Sequence, residues 1–389
     1  MRFSARTDWD VDETRLARAL RERRAAGLPL IDLTASNPTQ CGFRYDERGI
    51  LAALTDQRAM TYDPDPRGMR GAREAVCRYY DGHGAAISPD CIFLTTGTSE
   101  AYSWAFRLLC DPGDEVLIAQ PSYPLFDFLA QLEDVRLTPY PLFYDHGWQI
   151  DLAALRERIT DRTKAVAIVH PNNPTGHWTR ERCELEQLCV EHGLALIVDE
   201  VFLDYPLNDL PGTSFAAGEH LVLTFVLSGI SKITALPQMQ AAWIAAAGPE
   251  EELRPALERL EVIADTFLPM NAPVQCAMET WLRGAGAIQQ QIRQRTRSNL
   301  DALDTLLAGC PAVTRLQAEA GWYAVLRVPV LGRDEDLAVR LVQEHGVSVH
   351  PGYFFGFGGE GWLVVSLLTP EADFQMGIER ICGLFSATQ

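Results

Sequence analysis

Leu227-Ser228-Gly229-Ile230-Ser231-Lys232 closes an apolar run that begins at Leu221. A continuous apolar run of this length reads as a strand buried on both faces, the kind found in parallel sheets. Two more runs upstream end the same way. Residues 194–198 lead into Asp199-Glu200, and residues 165–169 lead into Pro171-Asn172-Asn173-Pro174-Thr175-Gly176. Asn173 and Asp199 are 26 residues apart, and Asp199 and Lys232 are 33 apart. Each interval holds one helix-containing crossover between neighbouring parallel strands, which needs a dozen or more residues. The asparagine, the aspartate and the lysine therefore read as one site, at the carboxyl edge of one sheet, where ligands bind in such folds.

Outward from these runs, strands are expected at 91–96, 115–120, 135–140, 165–170, 195–200, 221–227 and 241–247, alternating with helical segments. Helices are expected at 11–27, 250–263, 272–308 and 335–346, with 40–70 as loop. Beyond 309 the character changes, and strands at 321–328 and 362–367 flank the last of these helices. The expected fold class is α/β. A large domain, 45–285, carries a mainly parallel sheet between helices, and a smaller α+β domain is made of 1–44 and 286–389.

The chain has 389 residues, enough for a large core in two domains. Its formal net charge of -18 disfavours nucleic acid and anionic membrane, both of which need basic patches. Nine cysteines are scattered without a CxxC, so neither zinc nor redox motifs are supported and no metal is expected. They read mostly as buried thiols, which suits a reducing compartment. Met1-Arg2-Phe3-Ser4-Ala5-Arg6 leads into charge rather than an apolar segment, and no stretch approaches the length of a membrane span. A cytoplasmic protein is expected.

The strand-end residues suit pyridoxal phosphate chemistry, in which a lysine forms a Schiff base and an aspartate holds the pyridinium nitrogen. Asp199 follows five apolar residues, so its carboxylate is expected to be buried and to need a cationic partner. The alternative is an aspartate capping the next element. Asn173 can donate to a phenolate oxygen or simply close a turn. In Thr95-Thr96-Gly97-Thr98-Ser99-Glu100-Ala101 a strand opens into a helix, and helix N-terminal N–H groups cradle phosphate. The same string also reads as a plain cap with Glu100 as its box partner. Tyr123, in Pro121-Ser122-Tyr123-Pro124, is placed either to stack on a flat ring or to close the core.

In this order, the strings resemble the class I/II aminotransferases of pyridoxal phosphate fold type I. The resemblance spans nearly the whole chain. It includes Asn37-Pro38-Thr39, Tyr62 with Gly68, and Asp199-Glu200-Val201-Phe202, as well as Pro351-Gly352 and the strings above. It implies a transaminase in which Lys232 is the Schiff-base lysine and proton carrier, with Asp199 on the pyridinium. Asn173 falls on the phenolate oxygen and Tyr123 on the ring. Gly97, Thr98 and Ser99 fall at the phosphate, with Ser228, Ser231 and Gln240 among the other cofactor contacts. It implies a homodimer whose Tyr62 reaches the neighbouring subunit's phosphate, acting on a small amino donor and oxo acceptor. Ser36 and Asn37 fall beside the substrate.

Four positions depart from the family pattern. Phe202 stands where a tyrosine is common, with Tyr205 nearby in sequence. Gln240 replaces a phosphate-binding arginine, and Ser36 a glycine. Val364 occupies the position of the arginine that clamps the substrate carboxylate, a bidentate role that valine cannot fill. Arg44 is the first candidate to replace that arginine, then Arg67, then Arg327. The departure at Val364 keeps a lyase, decarboxylase or cyclase on the same scaffold as the alternative. A non-catalytic pyridoxal phosphate-binding module is the third reading, since fold alone does not fix function.

Overall fold

A computed structural model describes residues 3–124, 126–208, 212–330 and 332–386. Among the described residues, fourteen strands form three sheets. The largest has eight: β2 (Ile92–Thr95), β3 (Glu115–Gln120), β4 (Arg136–Tyr144), β5 (Trp148–Ile150), β6 (Thr163–Val169), β7 (Ala195–Asp199), β8 (Thr224–Gly229) and β9 (Ala242–Ala247). Their order is β2-β9-β8-β7-β6-β3-β4-β5. The ladders β8–β7–β6–β3–β4 are all parallel, while β9 runs antiparallel to both β8 and β2, and β5 antiparallel to β4. Two reversals across β9 restore the direction of β2. The carboxyl ends of β2, β3, β6, β7 and β8 therefore share one edge, and the amino end of β9 joins them there.

Alternation along these strands explains the apolar runs. Val166, Ile168, Leu196, Val198 and Val226 enter one core. Their neighbours Ala165, Ala167, Ala195, Ile197, Phe225 and Leu227 enter a second core on the opposite face, under the helices Thr98–Leu109 and Glu250–Phe267. Both faces are dry, so no polar alternation survives in the sequence.

β1 (Ile31–Asp32) pairs in parallel with β12 (Val347–Ser348), tying the N-terminal segment to the C-terminal region. A four-stranded antiparallel sheet follows the order β10-β11-β14-β13, with β10 (Thr314–Arg315), β11 (Tyr323–Arg327), β13 (His350–Pro351) and β14 (Trp362–Ser366). One face of this sheet, with Ala324, Leu326, Leu363 and Val365, forms its own core with Phe374 and Ile378 of the last helix. The other face, with Tyr323, Val325 and Val364, joins the main core.

Three boundaries differ from expectation. The helix expected at 272–308 is two, Ala272–Gly284 and Gly286–Leu307. The stretch 40–70 holds a short helix, Glu47–Ala52, whose cap Asp46 accepts from Gly49 N–H at 3.0 Å. β8 begins at Thr224 rather than 221, because Leu221 donates its N–H to the Glu186 carboxylate and stays outside the ladder.

Candidate active site

Each strand of the shared edge delivers one piece of a cleft. β8 ends at Gly229, which turns at once into the short helix Ile230–Ile233 carrying Lys232. A Cβ at Gly229 would lie 2.8 Å from Ala242 Cβ and 2.9 Å from Ala241 O, so only glycine allows this close crossing of β9. β7 ends in Asp199, in register with Val169 of β6 and Leu227 of β8. β6 runs into the Asn173 turn, and β3 into Ser122-Tyr123. β2 leads to Gly97, the cap of the helix Thr98–Leu109.

The cleft so formed is lined by Ser36, Gly97, Thr98, Ser99, Tyr123, Val169, Asn173, Asp199, Val201, Phe202, Gly229, Ser231, Lys232, Gln240, Ala242 and Tyr323. Ten of the residues singled out in the sequence are thus gathered in one place. Four others lie outside its lining. Ser228 is fully buried and its hydroxyl faces the Glu200 carbonyl at 3.5 Å, because alternation on β8 turns it into the core. Asn37 caps a short turn, accepting from Thr39 N–H and hydroxyl at 3.1 and 2.7 Å. Arg44 is exposed and borders a separate hollow with Thr234 and Trp281. Tyr62 is 77% exposed at the surface.

The candidate replacement arginines are engaged elsewhere. Arg67 grips the Glu261 carboxylate through Nε and Nη2 at 2.9 and 2.6 Å. Arg327 donates to the Glu360 carbonyl at 2.6 Å and covers the Trp362 ring. Val364 is wholly buried.

Electrostatics follow from burial. Asp199 is 7% exposed, and desolvation lifts its carboxyl from 3.8 to about 6, against the opposing pull of Val201 N–H, Tyr102 and Lys232. Val201 N–H donates to Oδ1 at 3.1 Å. Lys232 Nζ lies 5.4 Å from the Trp322 ring centroid and 6.0 Å from that of Phe202. Desolvation there lowers its pKa, with Asp199 opposing, so more of the amine is neutral and nucleophilic at neutral pH.

Three devices escape sequence reading because they join distant segments. First, Asn172 Nδ2 donates to the Pro121 carbonyl and to Thr175 Oγ1 at 3.2 and 2.8 Å, linking the Asn173 turn to the Tyr123 loop. Burial pushes His177 down to about 3, so its ring is neutral, and Nδ1 shares a hydrogen bond with the Thr175 hydroxyl at 2.8 Å. Second, Gly176 sits at φ +69, where an added Cβ would meet Ala320 O at 2.4 Å. Its carbonyl accepts from Glu319 and Ala320 N–H, joining the turn to the approach to β11. Third, Tyr205 is buried and its hydroxyl donates to the Lys232 carbonyl. Tyr205 therefore anchors the lysine's backbone and does not replace the tyrosine missing at Phe202. Tyr205→Phe removes one of two bonds to that carbonyl, which also accepts from Ala235 N–H at 3.1 Å. It is expected to cost about 1 kcal/mol of stability and to lower kcat about fivefold with KM unchanged. Denaturant titration and steady-state kinetics check both.

The residues fit pyridoxal phosphate. Asp199 is a buried carboxylate short of a cation, and a protonated pyridine nitrogen supplies one. Asn173 is buried and lines the cleft, where its Nδ2 can donate to a phenolate oxygen. No side chain caps the helix at Gly97, while Glu100 reaches back to Thr96 N–H at 2.7 Å, which leaves the first turn facing the cleft for a phosphate. Gln240 is the weak point, since its Nε2 is spent on the Pro237 carbonyl at 2.7 Å.

The chain is similar to known proteins over nearly its whole length. The profile of the family Aminotransferase class I and II matches residues 29–381. Alanine aminotransferase of Mycobacterium tuberculosis is 29% identical over 372 residues, covering 92% of this chain and 86% of that protein. Glutamate-pyruvate aminotransferase AlaA of Escherichia coli is 28% identical, covering 92% and 91%. The solved structure of alanine aminotransferase from Pyrococcus furiosus superposes with a TM-score of 0.90 at 24% identity, covering 99% and 100%, and shares the fold.

Proposed function

Since the chain belongs to the class I and II aminotransferases, a family of pyridoxal phosphate-dependent enzymes, we propose that its amino transfer is carried out at Lys232, in the cleft at the carboxyl ends of β6, β7 and β8. The protein is a transaminase, moving an amino group from an amino acid to a 2-oxo acid. The observation that carries the site assignment is the meeting of Lys232, Asp199 and Asn173 in one cleft with the helix N-terminus at Gly97.

When bound, pyridoxal phosphate supplies an aldehyde that takes up amino groups and a ring that draws electrons from the substrate carbon. Lys232 would hold it covalently through Nζ and, once released, carry the proton from the substrate carbon. The Phe202 and Trp322 rings keep that amine partly desolvated and hence less protonated. Asp199 would keep the ring nitrogen protonated by charge pairing. Asn173 and Tyr123 would orient the ring, and Thr98, Ser99 and Ser231 would hold the phosphate. Gln240 brings no positive charge to that group, so cofactor retention rests on neutral donors. A homodimer completes this reading, with exposed Tyr62 reaching the second subunit's phosphate.

Residues 45–285 would form the cofactor-binding domain, and 1–44 with 286–389 the smaller one. The β1–β12 pairing and the bonds from Asn299 Nδ2 to the Leu367 and Thr369 carbonyls support that grouping. No described helix is long and apolar enough to cross a membrane. All nine cysteines are free, which suits the reducing cytoplasm.

The test is a spectrum. Purified holoenzyme is mixed with single amino acids, without acceptor, and the pyridoxal absorption is followed. Loss of that absorption, restored by pyruvate with release of alanine, is the expected result. Relatives named for alanine or pyruvate make pyruvate the first acceptor to try. Release of ammonia or carbon dioxide with no need of an acceptor would replace transamination by elimination or decarboxylation.

A further inference from the structure

The small sheet turns one face toward Lys232, and its composition bears on the donor. Register places Tyr323 opposite Ser366, and Val325 opposite Val364, which also faces His350. Paired residues share a face, so these five side chains, with Arg327 and Trp362 at the far end, make up that wall; Arg327 is held there by the Glu360 carbonyl and the Trp362 ring. Val325 and Val364 are buried. Ser366 is buried too, and its hydroxyl donates to the Ala35 carbonyl. The His350 ring stacks on Phe354 at 5.1 Å. From this face only Tyr323 lines the cleft. Ser36 lines the cleft with it, so two neutral hydroxyls stand on this side. Lys232 is the one cation in the described lining.

A guanidinium fork rewards an anion, because charge-assisted bonds are roughly twice as strong as neutral ones. Hydroxyls donate to a carboxamide oxygen as well as to a carboxylate, and they also accept from an amide N–H. Resting on the aminotransferase reading above, we infer that Tyr323 and Ser36 read the group beside the reacting carbon, and that the enzyme uses α-amino amides as donors alongside α-amino acids. The balance is that of the parent reaction. The donor amide loses its α-amino group and becomes a 2-oxo amide, the 2-oxo acid acceptor gains that group, and the amide C–N bond stays intact.

Wild-type holoenzyme tests this with matched pairs: alanine and alaninamide, leucine and leucinamide, phenylalanine and phenylalaninamide, each with pyruvate or 2-oxoglutarate as acceptor. For every pair that reacts, kcat/KM of acid and amide is expected to agree within about tenfold. A preference for the acid beyond tenfold overturns the inference and leaves the aminotransferase reading standing. Failure of every donor overturns both. Tyr323→Phe keeps the ring and removes the hydroxyl. It is expected to raise KM for acid and amide together, about fivefold, with kcat little changed. Unchanged KM for both donors also overturns the inference.

Discussion

Lys232→Ala is expected to abolish amino transfer, lowering kcat by at least about ten-thousandfold, while the protein stays folded. Two roles vanish together, the covalent hold on the cofactor and the proton carrier at the substrate carbon. The side chain ends in a partly desolvated amine between Asp199 and the rings of Phe202 and Trp322, and no other amine lines the cleft among the described residues. Alanine keeps the short helix Ile230–Ile233, whose anchor is the Tyr205 bond to the backbone carbonyl rather than to the side chain. Loss of activity with an unchanged circular dichroism spectrum and melting temperature is the expected pair of results. Added methylamine should restore part of the proton transfer and none of the covalent hold, so borohydride should fix no cofactor to the variant. Turnover within tenfold of wild type would remove Lys232 from the mechanism.

Lys232, Asp199 and Asn173 were legible in the sequence for one physical reason. Strands buried on both faces leave unbroken apolar runs, and the polar residues within about five positions of each run's end fall at the sheet edge. Gly97-Thr98-Ser99 was legible as a strand-to-helix turn, though the cap alone left two readings open. What stayed hidden depends on contacts across long separations. Tyr205 is 27 residues from Lys232, and its hydroxyl bond has no local signature. Ser36 and Tyr323 come from opposite ends of the chain and share the cleft only when β1, β12 and the small sheet are assembled. Arg44 looked available because it follows Asn37-Pro38-Thr39, yet its backbone is held by Gln291, with Nε2 donating to the carbonyl and Oε1 accepting from the N–H, both at 2.9 Å. Ser228 was misleading for the opposite reason. It lies one residue inside the strand end, and alternation sends it to the core rather than to the cleft.

Asp199→Asn separates catalysis from stability, with opposite signs. Asparagine keeps the shape and removes the charge. Breaking a buried charge pair costs about 3–5 kcal/mol, so transfer should fall by roughly a hundred- to five-thousandfold. Without cofactor the sign reverses. Folding raises the Asp199 pKa from 3.8 to about 6, so the folded state holds the proton more tightly than the unfolded chain. Below 3.8 both states are protonated and no penalty exists. Between about 4 and 6 the penalty grows, reaching about 3 kcal/mol above that window. The wild-type apoprotein therefore loses stability as pH rises through this interval, and Asp199→Asn should lose less. Glu200, also buried and raised to about 7, adds the same slope to both proteins and cancels in the comparison. Denaturant titrations of both apoproteins at pH 4.5 and 7.5 read the difference. Asparagine should stabilise clearly at the higher pH and little at the lower. Loading wild type with pyridoxal phosphate should erase its pH-dependent deficit, because the ring nitrogen supplies the missing cation. If the two apoproteins show the same gap at both pH values, the carboxylate is not the buried, unpaired charge this mechanism requires.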